Sequence, residues 1–118
     1  MAVLHLNEEV RLEPDVAVLD LMGEINGFAE EALNTAYAQA DAKDTKTILL
    51  NFEGVDYINS TGIALIVGLL ARARVSKRRL VAFGLSDHYV EIFEILRLSD
   101  FMSVFPDEQS AMSETSVS

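Results

Sequence analysis

Two rhythms of apolar residues run through this chain. The first has period two. Leu4, Leu6, Val10 and Leu12 alternate with polar neighbours and predict a strand over residues 3–12, interrupted at Asn7-Glu8-Glu9. Pro14-Asp15 makes a turn, and the apolar run 16–22 predicts a second strand paired with the first as a hairpin. Gly23-Glu24-Ile25-Asn26-Gly27 reads as a loop. The rhythm then turns helical. Phe28, Ala32, Leu33, Ala36 and Ala40 form one stripe of a helix over 28–40, with Asn26 placed to cap it. A polar link at 41–45 leads to 47–52, apolar almost throughout, as a central parallel strand covered on both faces would be.

A polar turn follows, and then Ile63 to Ala71, which reads as a helix running to Val75. It is apolar nearly all round until Arg72. It is therefore either deeply packed or shares one side with a partner. After a charged link at 76–79, residues 80–84 predict a buried strand. Ser86 or Asp87 caps a helix to about Arg97, with Tyr89, Ile92, Phe93 and Leu96 on one face. Residues 101–105 make a short last strand. Pro106 suits the first position of a short helix through Met112, and 113–118 form a flexible tail. The order β-β-α-β-α-β-α-β-α predicts an α/β fold, a mixed and mainly parallel sheet of four to five strands with about four helices packed on it. With 118 residues this is one domain, residues 1–112.

Composition removes several functions. Nineteen acidic against nine basic residues leave a net charge of −10, which argues against nucleic acid. Eight acids lie between Glu8 and Glu31, and five of the nine bases between Arg72 and Arg79. Such runs read as solvated faces, or as the mark of a partner with a positive surface. There is no cysteine, hence no disulfide, thiolate nucleophile or cysteine-bound metal. His5 and His88 stand far apart in polar settings and read as surface residues, so no metal or other cofactor is expected. No basic start and apolar block open the chain. Its longest charge-free run, Tyr57 to Ala71, is 15 residues, short of the roughly 20 that span a bilayer. A cytoplasmic protein without a membrane span is the expectation.

The candidate chemistry centres on Asn59-Ser60-Thr61-Gly62, where a strand enters the apolar helix. No Gly-x-Ser-x-Gly elbow and no glycine-rich phosphate loop is present, so neither a hydrolase triad with His88 nor nucleotide chemistry is expected. The sequon at Asn59 has no secretory signal to give it meaning. Ser60 has two readings. It is an N-cap that satisfies a backbone N–H, or it presents its hydroxyl as a regulatory phosphoacceptor on a docking surface. Asp56 also follows the central strand, as in a receiver domain. The acidic pair and the lysine that a receiver needs are missing.

Four stretches, in order, resemble the STAS domain of the bacterial anti-sigma factor antagonist family. Gly23-Glu24-Ile25-Asn26 is similar to its Gly-Glu-[Leu/Ile]-Asp. Leu50-Asn51-Phe52 is similar to its strand, and Ile58-Asn59-Ser60-Thr61-Gly62 to its Asp-Ser-[Ser/Thr]-Gly turn. Ser86, Val90, Phe93, Leu98 and Phe101 follow its third-helix spacing. The resemblance implies a partner switch and no catalysis. The unphosphorylated antagonist binds an anti-sigma factor that is also a serine kinase. Phosphorylation, here on Ser60 with Thr61 as the alternative, weakens the complex, and a metal-dependent serine phosphatase resets it. Gly23, Glu24, Asn26, Asn59, Ser60, Thr61 and Gly62 would form the docking surface of a monomer or weak dimer. Asn26 and Asn59 each replace the family's aspartate and lose a charge. If that aspartate helps present the serine, Asn59 slows or abolishes phosphorylation. Two other functions follow from the same features. One is a non-switching STAS subunit of a signalling or lipid-transport assembly. The other is a small-molecule or flavin binder on a flavodoxin-like sheet.

Overall fold

A computed structural model describes residues 6–116. The order is β1 (Asn7–Glu13), β2 (Val16–Ile25), a 3-10 turn (Gly27–Ala29), α1 (Glu30–Asp41), β3 (Thr47–Ile58), α2 (Ser60–Val75), β4 (Arg79–Phe83), α3 (Asp87–Ile95), a second 3-10 turn (Leu98–Asp100), β5 (Ser103–Phe105) and α4 (Glu108–Ser116). The five strands lie in the order β1-β2-β3-β4-β5. β1 is antiparallel to β2, and every other pairing is parallel. This is the mixed, mainly parallel sheet with four helices that the patterning predicts.

Each parallel crossover steps to the next strand in the same direction. Right-handed connections then put α1, α2 and α3 on one face of the sheet. The larger core lies there, where Leu33, Tyr37, Ile66, Leu70 and Phe93 meet Leu19, Ile48, Leu50 and Phe52. Alternation along β3 sends Leu49 to the opposite face, with Val18, Val81 and Phe83. That face is covered by α4, whose only apolar residues in the described range are Ala111 and Met112. Polar bonds fasten α4. Arg11 donates to both oxygens of Asp20 at 2.6 and 2.8 Å, and to both oxygens of Glu108 at 3.0 and 2.6 Å. These bonds hold the Asp20 and Glu108 carboxyls below their usual values and raise that of Arg11.

The basic segment is largely spent inside the chain. Arg78 donates to the Thr45 carbonyl at 2.7 Å and pairs with Asp41, closing the end of α1 onto the start of β4. Arg79 reaches Ser103 Oγ at 3.3 Å and Glu114 at 3.5 Å. Arg72 lies over the Tyr37 ring and Arg74 over the Phe101 ring, at 4.2 and 4.8 Å from the centroids.

Several boundaries differ from the patterning. Asn7-Glu8-Glu9 belongs to β1, because pairing with β2 uses backbone groups whatever the side chains. Residues 3–5 of the predicted first strand, with His5, lie outside the described residues. β2 runs through the predicted loop to Ile25, and β3 continues past Phe52 to Ile58. Two register shifts, each with the extra residue on β3, let the pairing persist. Phe28 leaves the helical stripe. It sits in a 3-10 turn, 79% exposed, and Asn26 caps that turn rather than α1. Leu96 lies beyond the end of α3 and is half exposed, since Arg97 turns left-handed there. Pro106 stands outside α4, and Asp107 supplies the cap by accepting from the Ser110 N–H at 2.8 Å. α4 continues to Ser116, so residues 113–116 of the expected tail are helical. Residues 117–118 lie outside the description.

Candidate functional site

β2 and β3 end side by side, with Ile25 in register with Ile58. Asn59 follows in an extended conformation (φ −90°, ψ 179°) and ends the strand by donating its N–H to the Ile25 carbonyl at 3.1 Å. It also starts α2. Its Oδ1 accepts from the Gly62 N–H at 2.8 Å, and its carbonyl accepts from the Ile63 N–H at 2.9 Å. The N-cap is therefore Asn59 and not Ser60, which corrects the capping reading of Ser60. An amide oxygen serves this role as well as a carboxylate oxygen does.

Ser60 is thereby released. It is the first residue of α2 and is exposed. Its hydroxyl has no hydrogen-bond partner among the described residues. Beside it, Ile58, Asn59, Ile63, Ile92 and Leu96 line a shallow apolar groove between α2 and α3. Thr61 is exposed too, but its methyl faces the 3-10 turn, 3.5 Å from where a Cβ on Gly27 would stand. Gly62 is buried against β2. A Cβ there would lie 2.1 Å from the Ile25 carbonyl oxygen, so only glycine lets α2 begin this close to the strand.

The β2 end is organised separately. Asn26 Nδ2 donates to Glu24 at 3.0 Å while its Oδ1 accepts from the Phe28 N–H at 2.8 Å. Glu24 is in register with Tyr57. Gly23 sits further back, opposite Val55, with a φ of 108° that a side chain would strain. Sequence reasoning placed Tyr89 on the apolar face of its helix and missed the role of its hydroxyl. Its buried hydroxyl accepts from the Ile58 N–H at 2.9 Å, fastening α3 to the end of β3 one residue before the cap. The signal available was an aromatic with a polar handle on the buried face of a predicted helix.

Other chemistry finds no geometry here. His88 stacks edge-on against Tyr89 at 4.9 Å and makes no hydrogen bond to Ser60, so no serine–histidine pair exists. The sequential strand order also differs from the 2-1-3-4-5 order of flavodoxin-like and receiver sheets, which removes the structural basis for both of those readings. Among the described residues, no helix is long and apolar enough to cross a membrane.

The STAS domain family model matches residues 7–111. The chain belongs to the STAS domain family. An anti-sigma-B factor antagonist of Staphylococcus aureus (strain NCTC 8325 / PS 47) is 30% identical over 101 residues, covering 86% of this chain and 94% of the relative. The STAS fold here is shared with the anti-sigma factor antagonist SpoIIAA, solved unphosphorylated (TM-score 0.70, 20% identity, 96% of this chain and 99% of that one). It is also shared with the Bacillus cell fate determinant SpoIIAA in the phosphorylated form (TM-score 0.71, 21% identity, 92% and 99%).

Proposed function

We propose that this STAS domain is an anti-sigma factor antagonist working by partner switching. Unphosphorylated, it docks on an anti-sigma factor that is also a serine kinase. Phosphorylation of Ser60 ends the complex, and a metal-dependent serine phosphatase restores it. The observation that carries this reading is the exposed, unpartnered Ser60 hydroxyl. It stands on the first residue of a rigid helix, capped by its neighbour and bordered by an apolar groove. The S. aureus relative, an anti-sigma-B factor antagonist by name, supports the biological role.

The switch acts through charge and bulk. A phosphate on Ser60 adds about −1.5 to −2 charges. It would sit at the N-terminal end of α2, where an anion is favoured by roughly 0.3–1 kcal/mol, so the fold survives. The loss falls on the interface, where about 3 kcal/mol weakens binding more than a hundredfold. Gly23, Glu24, Asn26, Asn59, Thr61 and Gly62 shape or border the docking surface. Thr61 is the secondary acceptor, since its side chain leans on the turn before α1.

The test is intact mass with site mapping on protein from its own cells, joined to binding of Ser60→Ala and Ser60→Asp to the candidate kinase. One acid-stable phosphate on Ser60, tight binding by the alanine variant and weak binding by the aspartate variant are expected. Equal binding by both variants refutes the switch. A second reading, a non-switching subunit of a signalling or lipid-transport assembly, is favoured by Asn59 at the family's aspartate position. It predicts no phosphate under any growth condition.

A further inference from the structure

The outward face of α2 is unusual for a helix at a protein surface. Ala64, Val67, Gly68, Ala71 and Val75 are all exposed and form one stripe along the helix, with Val67 at 41% and Val75 at 84%. Solvent faces of helices ordinarily carry charge. The two arginines nearest this stripe are turned off it to opposite sides. Arg72 bonds Asn34 Oδ1 at 3.0 Å and covers Tyr37 on α1, while Arg74 covers Phe101 beyond α3. What remains outward is an uncharged strip. A side chain added at Gly68 would meet nothing within 4 Å, so another helix can approach closely at its middle.

We propose that this face pairs with a second copy of the chain, α2 against α2, antiparallel, about a two-fold axis at Gly68. Three features select that occupant. The first is spacing. Thr61 and Val75 each lie seven residues from Gly68, about 10 Å along the axis. Gly27, on the adjoining turn, stands against Thr61, and the exposed Phe28 follows it. A two-fold at Gly68 therefore sets the exposed Phe28 of each copy against the exposed Val75 of the other. The second is charge. Glu30 and Glu31 open α1 just after the turn beside Thr61, and at the C-terminal end of α2 the flanking Arg72 and Arg74 with Lys77 outnumber Asp41 and Asp44, which pair with Arg78. Antiparallel pairing sets acid over base at both ends, whereas parallel pairing sets like over like. The third is the helix dipoles, which oppose only in the antiparallel arrangement. One helix face with one flanking aromatic is small beside the roughly 800 Å² per partner of a stable complex, so the dimer is weak and concentration-dependent. It covers the Ser60 end of α2, so self-association competes with any partner that docks there. The pairing itself stands whether or not Ser60 is a phosphoacceptor.

The cysteine-free chain makes the test direct. Gly68→Cys puts a single thiol at the axis, in open space, and mild oxidation is expected to give a covalent dimer. Val75→Cys alone is expected to stay monomeric, its two copies being about 20 Å apart across the axis. An equimolar mixture of Phe28→Cys and Val75→Cys is expected to cross-link. For the unmodified chain, sedimentation mass should rise from 13.0 kDa towards twice that over a series reaching about 1 mM, and Val75→Glu should abolish the rise. A wild-type mass that stays constant over that series overturns the proposal. So does Gly68→Cys linking no faster than Gln39→Cys on α1. Self-linking of Val75→Cys overturns the antiparallel arrangement.

Discussion

Gly62→Ala is the sharpest probe of how the site is built. Alanine is normally the better helix residue, by about 0.8–1.0 kcal/mol. At Gly62 the added methyl would stand 2.1 Å from the Ile25 carbonyl oxygen, with that carbonyl's carbon at 2.8 Å. Both are backbone atoms, so no rotamer relieves the contact. The first turn of α2 must back away by about 1 Å, a strain of the kind that costs roughly 1–3 kcal/mol in a packed interior. The same movement stretches the 3.1 Å bond from the Asn59 N–H to that oxygen, a further loss of about 0.5–1.5 kcal/mol. Set against the propensity gain, the net is a destabilisation of about 2 kcal/mol. For a domain of this size that lowers the melting temperature by about 8 °C. Gly68→Ala is the internal control, with the same exchange in the same helix but open space around it. It should raise the melting temperature by about 4 °C. Thermal denaturation of both variants in dilute solution checks the pair. If Gly62→Ala is as stabilising as Gly68→Ala, the close approach of α2 to β2 is wrong, and with it the placement of Ser60.

Asn59→Ala removes the cap and should cost about 0.5–2 kcal/mol in urea denaturation, while Asn59→Asp, which keeps an acceptor oxygen, should keep most of that stability. Equal losses in the two variants would rule out the cap. Tyr89→Phe strands the Ile58 N–H without its 2.9 Å acceptor and should cost about 1–3 kcal/mol, with faster amide exchange at Ile58. Unchanged exchange there would show that the bond is not formed. The α4 clamp should be acid-labile. Arg11 holds Asp20 and Glu108 below their ordinary values of 3.8 and 4.5. Their contribution is complete above those values and is lost as pH falls through the lower folded ones. Amide exchange of α4 should therefore be level from pH 7 to about 5 and accelerate below, after correction for intrinsic rates. Arg11→Met should weaken α4 at neutral pH and flatten the acid step.

The core was readable because its signals are local. Leu50 and Phe52 alternate with Leu49 across β3, and Leu33 and Ala36 share the inner side of α1. Where the reading failed, the deciding contact was distant in sequence. Asn7-Glu8-Glu9 looks like a break until β2 is laid beside it, and Glu53 to Ile58 looks like a turn until β2 is found to continue too. Phe28 suits a helical stripe by spacing. It is exposed because Asn26 spends its side chain starting a 3-10 turn one step before α1. Tyr89 was visible only as a core aromatic, since its partner lies 31 residues earlier.

The same distinction explains how Asn59 is to be understood. From the sequence it is a lost charge beside the serine. In the fold its backbone closes the strand, its carbonyl opens the helix, and its amide oxygen caps the helix. None of the three jobs needs a negative charge, so the architecture around Ser60 is complete with asparagine. The missing carboxylate is a change in the field at Ser60 and not in its position. Under the partner-switch reading, Asn59→Asp should then alter the rate of Ser60 phosphorylation while binding of the unmodified protein to the kinase, measured by calorimetry, changes little. If Asn59→Asp instead weakened that binding as much as Ser60→Asp does, charge anywhere on this turn would suffice to break the complex. The phosphate would then have no privileged place at Ser60.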